Sequence, residues 1–183
     1  RVPDAEFNPL SWGADYTETN AWNMIASVTQ DGQGLANLYG GREALGDKLD
    51  QMFNEEGNFI TGGYGGVIHE MIEAREVKMG QYGHNNQPSH HLPYMYLYAG
   101  QPWKTHEKVR AILHRLYVGE SIGQGYSGDE DNGEMSGWYV LSALGIYPLN
   151  MGSGEFVLGS PLFKKATIHL ENGEDLVINA PNN

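Results

Sequence analysis

The chain has 183 residues, 40% of them hydrophobic, enough for one ordinary domain with a buried core. Its formal net charge of −12 argues against nucleic acid and against anionic membrane surfaces, since both call for a basic face. The absence of cysteine excludes disulfides, thiolate zinc sites and thiol nucleophiles.

In chain order, "TETNAWNMIASV" (17–28) predicts a helix with Thr17 or Thr19 near its N-cap. "GREALGDKLDQMFNE" places Ala44, Leu45, Leu49, Met52 and Phe53 at helical spacing. "GGVIHEMIEAREV" predicts a helix with Val67, Ile68, Met71 and Ile72 on its apolar side. "PSHHLPYMYLYAG" starts a helix with Pro88 at its first position and stops it at Gly100. "PWKTHEKVRAILHRLY" carries Val109, Ile112, Leu113 and Leu116, and "EMSGWYVLSALGIYP" ends at Gly145 and Pro148. The texture then changes to short strands at 155–158, 166–170 and 176–178, with Asn-Gly in "ENGE" (171–174) as a hairpin turn. The expected fold is mainly α with a small β appendage: residues 1–150 helical and catalytic, 151–183 a strand segment of the same domain. No apolar run approaches the roughly 20 residues of a membrane span, and no signal peptide is visible. The first residue is Arg rather than Met, so the chain reads as a processed product or a piece of a longer one.

Polar groups gather in the loops that precede helices, where a rigid scaffold can hold them. Tyr16, Glu18, Asn20 and Trp22 share "YTETNAW"; His69 and Glu70 lie in "IHEM". "HNNQPSHH" holds His84, Asn86, Gln87, His90 and His91. The turn "GDEDNGE" stacks Asp129, Glu130 and Asp131, three like charges at the mouth of an apolar helix. Each group also has a plain structural reading. Glu18 can serve its helix dipole, His69 and Glu70 can be a surface pair, and the acid turn can be merely solvated. Two adjacent histidines in a helix point roughly 100° apart, so at most one of His90 and His91 serves a site. "HEM" lacks the second histidine of the zinc-protease pattern. The acid turn misses the EF-hand spacing, with Gly133 fifth from Asp129 and Val140 at the twelfth position.

Taken together, these residues point to sugar chemistry. Glycoside hydrolysis needs two carboxyl groups, one protonated and one ionised, on opposite sides of the scissile bond. Burial among rings such as Trp22 would raise the pKa of Glu18. Asp129 and Asp131 would raise each other's unless a cation or hydrogen bonds offset the repulsion, so the turn reads as a base beside a divalent cation.

The stretches "YTETNAW", "DGQGLANLYGG", "IHEM", "MGQYGHNNQPSHHLPYMYLYAGQPWKT" and "GDEDNGEMSGWYVLSALGIYP" resemble glycoside hydrolase family 92, the calcium-dependent inverting exo-α-mannosidases. The resemblance covers nearly the whole chain. It implies the later part of an (α/α)6 barrel followed by C-terminal strands, with an N-terminal β-sandwich and the rest of the parent polypeptide elsewhere. A partial barrel exposes surfaces built to be buried, so self-association is expected. By motif, Glu18 becomes the general acid and Asp131, assisted by Asp129, the general base. His69 and Glu70 contact the leaving sugar in members that cleave α-1,2 links, while Trp22 and His84 belong to the substrate site. Asn86 and Gln87 are the candidate ligands of Ca²⁺. Thr19 and Asn85 stand where the family commonly has glycine. The implied substrate is a mannose-containing oligosaccharide or N-glycan and the implied location is secreted, periplasmic or cell-surface. A member with α-1,3, α-1,4 or mannose-phosphate specificity, or a catalytically incomplete calcium- or carbohydrate-binding piece, is the alternative.

Overall fold

A computed structural model describes residues 7–119 and 125–183. Its described residues form five α-helices: α1 (Gly32–Tyr39), α2 (Arg42–Asn54), α3 (His69–Glu76), α4 (Pro102–Leu116) and α5 (Glu134–Leu144). Two antiparallel strand pairs follow, β1 (Ile146–Tyr147) with β2 (Val157–Leu158) and β3 (Lys165–His169) with β4 (Asp175–Asn179). The expectation of a mainly helical fold with a small β appendage holds. None of the described helices is long and apolar enough to cross a membrane.

Leu45, Leu49 and Met52 of α2 and Val109, Ile112 and Leu113 of α4 are buried, as their spacing predicts. Between these helices runs Leu92, Tyr94, Met95 and Tyr96, all at 0% exposure. Each such apolar side chain contributes about 1.5–3 kcal/mol on burial. The tyrosines come inside because their hydroxyls find partners: Tyr94 bonds Ser142 Oγ at 2.8 Å and Tyr96 donates to Asp50 at 2.8 Å. Tyr94 also stacks on Tyr147 at 4.2 Å, which seats β1 against the core.

Several expected elements are corrected. The helix expected over 17–28 is only a 3₁₀ turn, Ala21–Met24, and its cap is Asn20 rather than Thr17 or Thr19. Asn20 Oδ1 accepts the Trp22 N–H at 3.1 Å, so the side chain closes the turn that a threonine was expected to close. The helix expected from Pro88 splits into 3₁₀ turns at Gln87–Ser89 and Leu92–Leu97, with Pro88 and Pro93 each at a turn's start. Each proline removes a backbone donor, so one continuous helix cannot run through both. α3 is shorter than predicted, and of its expected apolar side Met71 is fully buried while Val67 and Ile72 are exposed.

Helix α1 was not among the predicted elements. The glycines are there for packing. A Cβ on Gly32 would lie 2.0 Å from the Tyr98 ring, and one on Gly34 would lie 2.2 Å from the Asp31 carboxylate that caps the helix. The Asn-Gly hairpin turn is as expected, with Gly173 at φ 85° and the Leu170 N–H donating to the Glu174 carbonyl at 2.8 Å.

Candidate active site

Glu18 and Asp131 both adopt left-handed φ of 53°, where a Cβ is crowded, as do Ala14, Lys78 and Asn132 at 52–58°. Thr19, the residue at the family's glycine position, is not among the positive-φ residues, so its branched side chain meets no backbone conflict. The conformation of Glu18 is held from both sides. Its N–H donates to the Tyr64 hydroxyl at 2.6 Å, and its carbonyl accepts from Asn86 Nδ2 at 2.9 Å. The side chain is left exposed. Such strain persists only where the surroundings over-determine it, and it concentrates at functional sites.

A buried amide network fixes this turn to the "HNNQPS" loop. Asn20 Nδ2 donates to Gln81 Oε1 at 3.0 Å, and Asn23 Oδ1 accepts from the Gly83 N–H at 3.0 Å and Ser89 Oγ at 2.7 Å. Asn20 was singled out from the sequence; the other supporting residues were not. Only the density of Asn, Gln and Ser in the two motifs hinted at them.

The acid turn divides its three charges. Glu130 bends back to cap α5, accepting the Gly133 N–H at 2.6 Å and the Ser136 N–H at 3.1 Å. The bonds from Ser136, then that from Gly133, hold its carboxyl below the usual range. Asp131 faces the other way and accepts a hydrogen bond from Gln87 Nε2. Asp129 lies where its charge acts on His69. Gly128 makes the turn possible: at φ 75°, its Cα side lies against the Asn85 carbonyl, 2.3 Å from where a Cβ would sit.

A cleft of about 650 Å³ brings Glu18, Gln87 and Asp131 together, with Glu134, His90 and His91 also in its wall. Asn86 stands behind it through the Glu18 carbonyl. His69 and Glu70 form a second group. His69 is clamped, Nδ1 to Glu73 Oε1 at 2.9 Å and Nε2 to Glu70 Oε1 at 3.2 Å. The Glu73 hydrogen bond foremost raises its pKa. Asn85 Nδ2 donates to the Glu70 carbonyl at 3.1 Å, tying this group to the central loop.

Two expected substrate residues lie in the core instead. Trp22 is buried with Lys48 Nζ 4.2 Å from its ring centre, so it does not enclose Glu18, which is exposed. His84 is fully buried, Nδ1 against the Tyr82 hydroxyl at 2.7 Å and Nε2 against the Tyr117 hydroxyl at 2.8 Å. Burial pushes its pKa well down, and both ring nitrogens are already engaged. His90 and His91 both reach the cleft, because they lie in a 3₁₀ connection rather than on one helix.

Gln87 Oε1 and the Asp131 carboxylate offer oxygen ligands of the kind a hard cation takes, with the His90 and His91 rings in the same wall. Asn86 fits less well, as its Oδ1 accepts the Gln87 N–H at 3.1 Å while its Nδ2 is spent on Glu18. Among the described residues no three Asp, Glu, His or Cys side chains converge into a metal cage.

Two carboxylates from separate loops line one cleft, and glycoside hydrolysis uses a pair of carboxyl groups. The chain belongs to glycoside hydrolase family 92: it matches the "Glycosyl hydrolase family 92 catalytic domain" over residues 3–183. It is similar to the family GH92 inverting mannosidase of Bacteroides thetaiotaomicron VPI-5482, with 46% identity and a TM-score of 0.77 over 97% of this chain and 24% of that one. It is also similar to a second family GH92 α-mannosidase of B. thetaiotaomicron, in complex with mannoimidazole. That match has 30% identity and a TM-score of 0.79, over 97% of this chain and 22% of the other. A curated relative, an "Uncharacterized secreted glycosidase" of Arthroderma benhamiae, is 22% identical over 82% of this chain and 16% of its own length. The chain thus spans about a quarter or less of these relatives. The later part of an (α/α)6 barrel is consistent with these matches.

Proposed function

We propose that this chain carries the acid–base cleft of an inverting exo-α-mannosidase acting on mannose-rich glycans. The observation that carries the reading is the pairing of Glu18 and Asp131 on one cleft, each in a left-handed backbone, with the Glu18 side chain exposed and the Asp131 carboxylate held by Gln87. Family membership and mannosidase relatives, one named as inverting and one holding mannoimidazole, support the substrate class. Glu18 donates its proton to the glycosidic oxygen as the C1–O bond breaks. Asp131, oriented by Gln87, takes a proton from the water that forms the new C1–O bond on the opposite face. Inversion by this route needs carboxyl groups roughly 6.5–9.5 Å apart, leaving room for that water.

Ca²⁺ is part of the proposal. Gln87 Oε1 and Asp131 are the residues of this chain that would hold it, with further ligands from the rest of the polypeptide. Bound there, a hard cation would orient the sugar's hydroxyls and favour a flattened ring. His69 and Glu70 are proposed to contact the leaving sugar and to favour α-1,2 links. The secreted relative supports an exported protein.

The test is the anomer released by the complete polypeptide that carries this chain, followed by NMR on an α-mannoside. β-Mannose appearing first supports the reading. α-Mannose first, or no turnover of any α-mannoside, overturns it.

A further inference from the structure

The cleft wall holds a third carboxylate that two-carboxylate hydrolysis does not use. Glu134 opens α5 with its side chain 42% exposed, in the same wall as Glu18 and Asp131. Its Oε1 lies 3.3 Å from His90 Nδ1, and the His90 side chain is only 2% exposed. That hydrogen bond holds the Glu134 carboxyl below its usual range.

The histidine is itself fixed by buried groups. His90 Nε2 lies 3.0 Å from the His84 carbonyl, its own carbonyl accepts from Trp138 Nε1 at 3.0 Å, and its ring stacks on His84 at 4.7 Å. His84 is in turn held between Tyr82 and Tyr117. A chain of locked side chains therefore ends in one carboxylate that reaches the cleft. Its Oε1 faces His90 Nδ1, which can donate to it while Nε2 donates to the His84 carbonyl only when the ring carries both protons, and the other oxygen has no protein partner among the described residues. This is how an acceptor is prepared for an incoming hydroxyl: anchored on one side, open on the other, and ionised.

We propose that Glu134, oriented by His90, is a sugar-binding residue that accepts hydrogen bonds from hydroxyls of the pyranoside flanked by Glu18 and Asp131. The proposal rests on reading the cleft as a glycosidase site. A contact to the ring that is cleaved off should matter equally whatever the leaving group, unlike a contact made by the acid.

The test uses the complete polypeptide. For Glu134→Gln, kcat and KM are measured on aryl α-mannosides of differing leaving-group acidity, and the Kd of mannoimidazole by calorimetry. We expect kcat/KM to fall about 10- to 100-fold, the range for losing a hydrogen bond to a charged group, equally on every aryl substrate. Mannoimidazole should weaken in step, and Glu134→Asp should recover part of the loss. Unchanged KM and unchanged mannoimidazole binding in an active enzyme, with only the melting temperature lowered, would make Glu134 a structural counter-ion of His90 and overturn the proposal. Should Glu134→Gln fail to fold, Glu134→Ala decides the matter, since unchanged KM and Kd there overturn it equally. A wild-type protein that neither hydrolyses an aryl α-mannoside nor binds mannoimidazole sinks the functional reading itself. An active wild type whose variants bind normally sinks only this proposal.

Discussion

Replacing Glu18 by glycine should leave the protein more stable than replacing it by alanine, and both variants should be nearly inactive. Glu18 sits at φ 53°. For a residue with a Cβ the left-handed region costs roughly 1–2 kcal/mol. Glycine escapes that cost but loses more chain entropy on folding, about 0.5–1 kcal/mol relative to alanine. The difference leaves glycine ahead by about 0–1.5 kcal/mol, roughly 0.75 at the midpoints. Alanine keeps the strain and loses only the carboxylate, so the pair isolates the backbone term from the chemistry. The backbone bonds to Tyr64 and Asn86 are common to both variants and cancel. Denaturant unfolding of the complete polypeptide reads the stability, and an aryl α-mannoside with a poor leaving group reads the activity. Loss of general acid assistance should cost about 10²–10⁴-fold in rate. If the alanine variant is as stable as the glycine variant, Glu18 is not strained and its conformation says nothing about function. If either variant keeps more than a tenth of wild-type rate on the poor leaving group, the acid lies elsewhere.

The two carboxylates should separate by leaving group. Glu18→Gln should spare an aryl mannoside with a strongly acidic phenol, whereas Asp131→Asn should slow every substrate and regain rate with azide; the reverse pattern swaps the assignment. Replacing His69 and Glu70 together by alanine should reduce turnover of α-1,2-mannobiose far more than that of an activated aryl mannoside, and equal losses remove them from the leaving-sugar site. His69 has its folded pKa raised, chiefly by Glu73, so its charged contacts are complete below about 6.5 and fade as pH rises through the higher folded value. The mannobiose-to-aryl rate ratio should therefore fall with rising pH, and Glu73→Gln should move that fall to lower pH; a ratio flat across this range denies His69 a charged role. Exhaustive chelation should abolish activity and added Ca²⁺ restore it, while full activity with metal content verified as zero excludes the cation.

Local chemistry carried much of the organisation. Helices α2 and α4 announce themselves because their apolar residues repeat at the helical period, and α5 stops at the predicted glycine. The Asn-Gly hairpin is legible because few other residue pairs accept its φ angles. Glu18, Gln87 and Asp131 could be singled out because each sits in a short polar motif before a helix or turn.

Long-range packing settled what local signals could not. Nothing in "DED" distinguishes Glu130, which caps a helix, from Asp131, which faces the cleft; the fold of the turn around Gly128 and Asn85 does. The need for Gly32 could not be read locally, because the Tyr98 ring packed against it lies far along the chain. Trp22 and His84 looked like site residues because aromatics and histidines serve both cores and clefts. Only their partners, Lys48 and two tyrosine hydroxyls, show which side of the wall each occupies. Glu134 was hidden for the same reason: its anchor, His90, is distant in sequence, and a side chain's partner across the fold cannot be read from its neighbours along the chain.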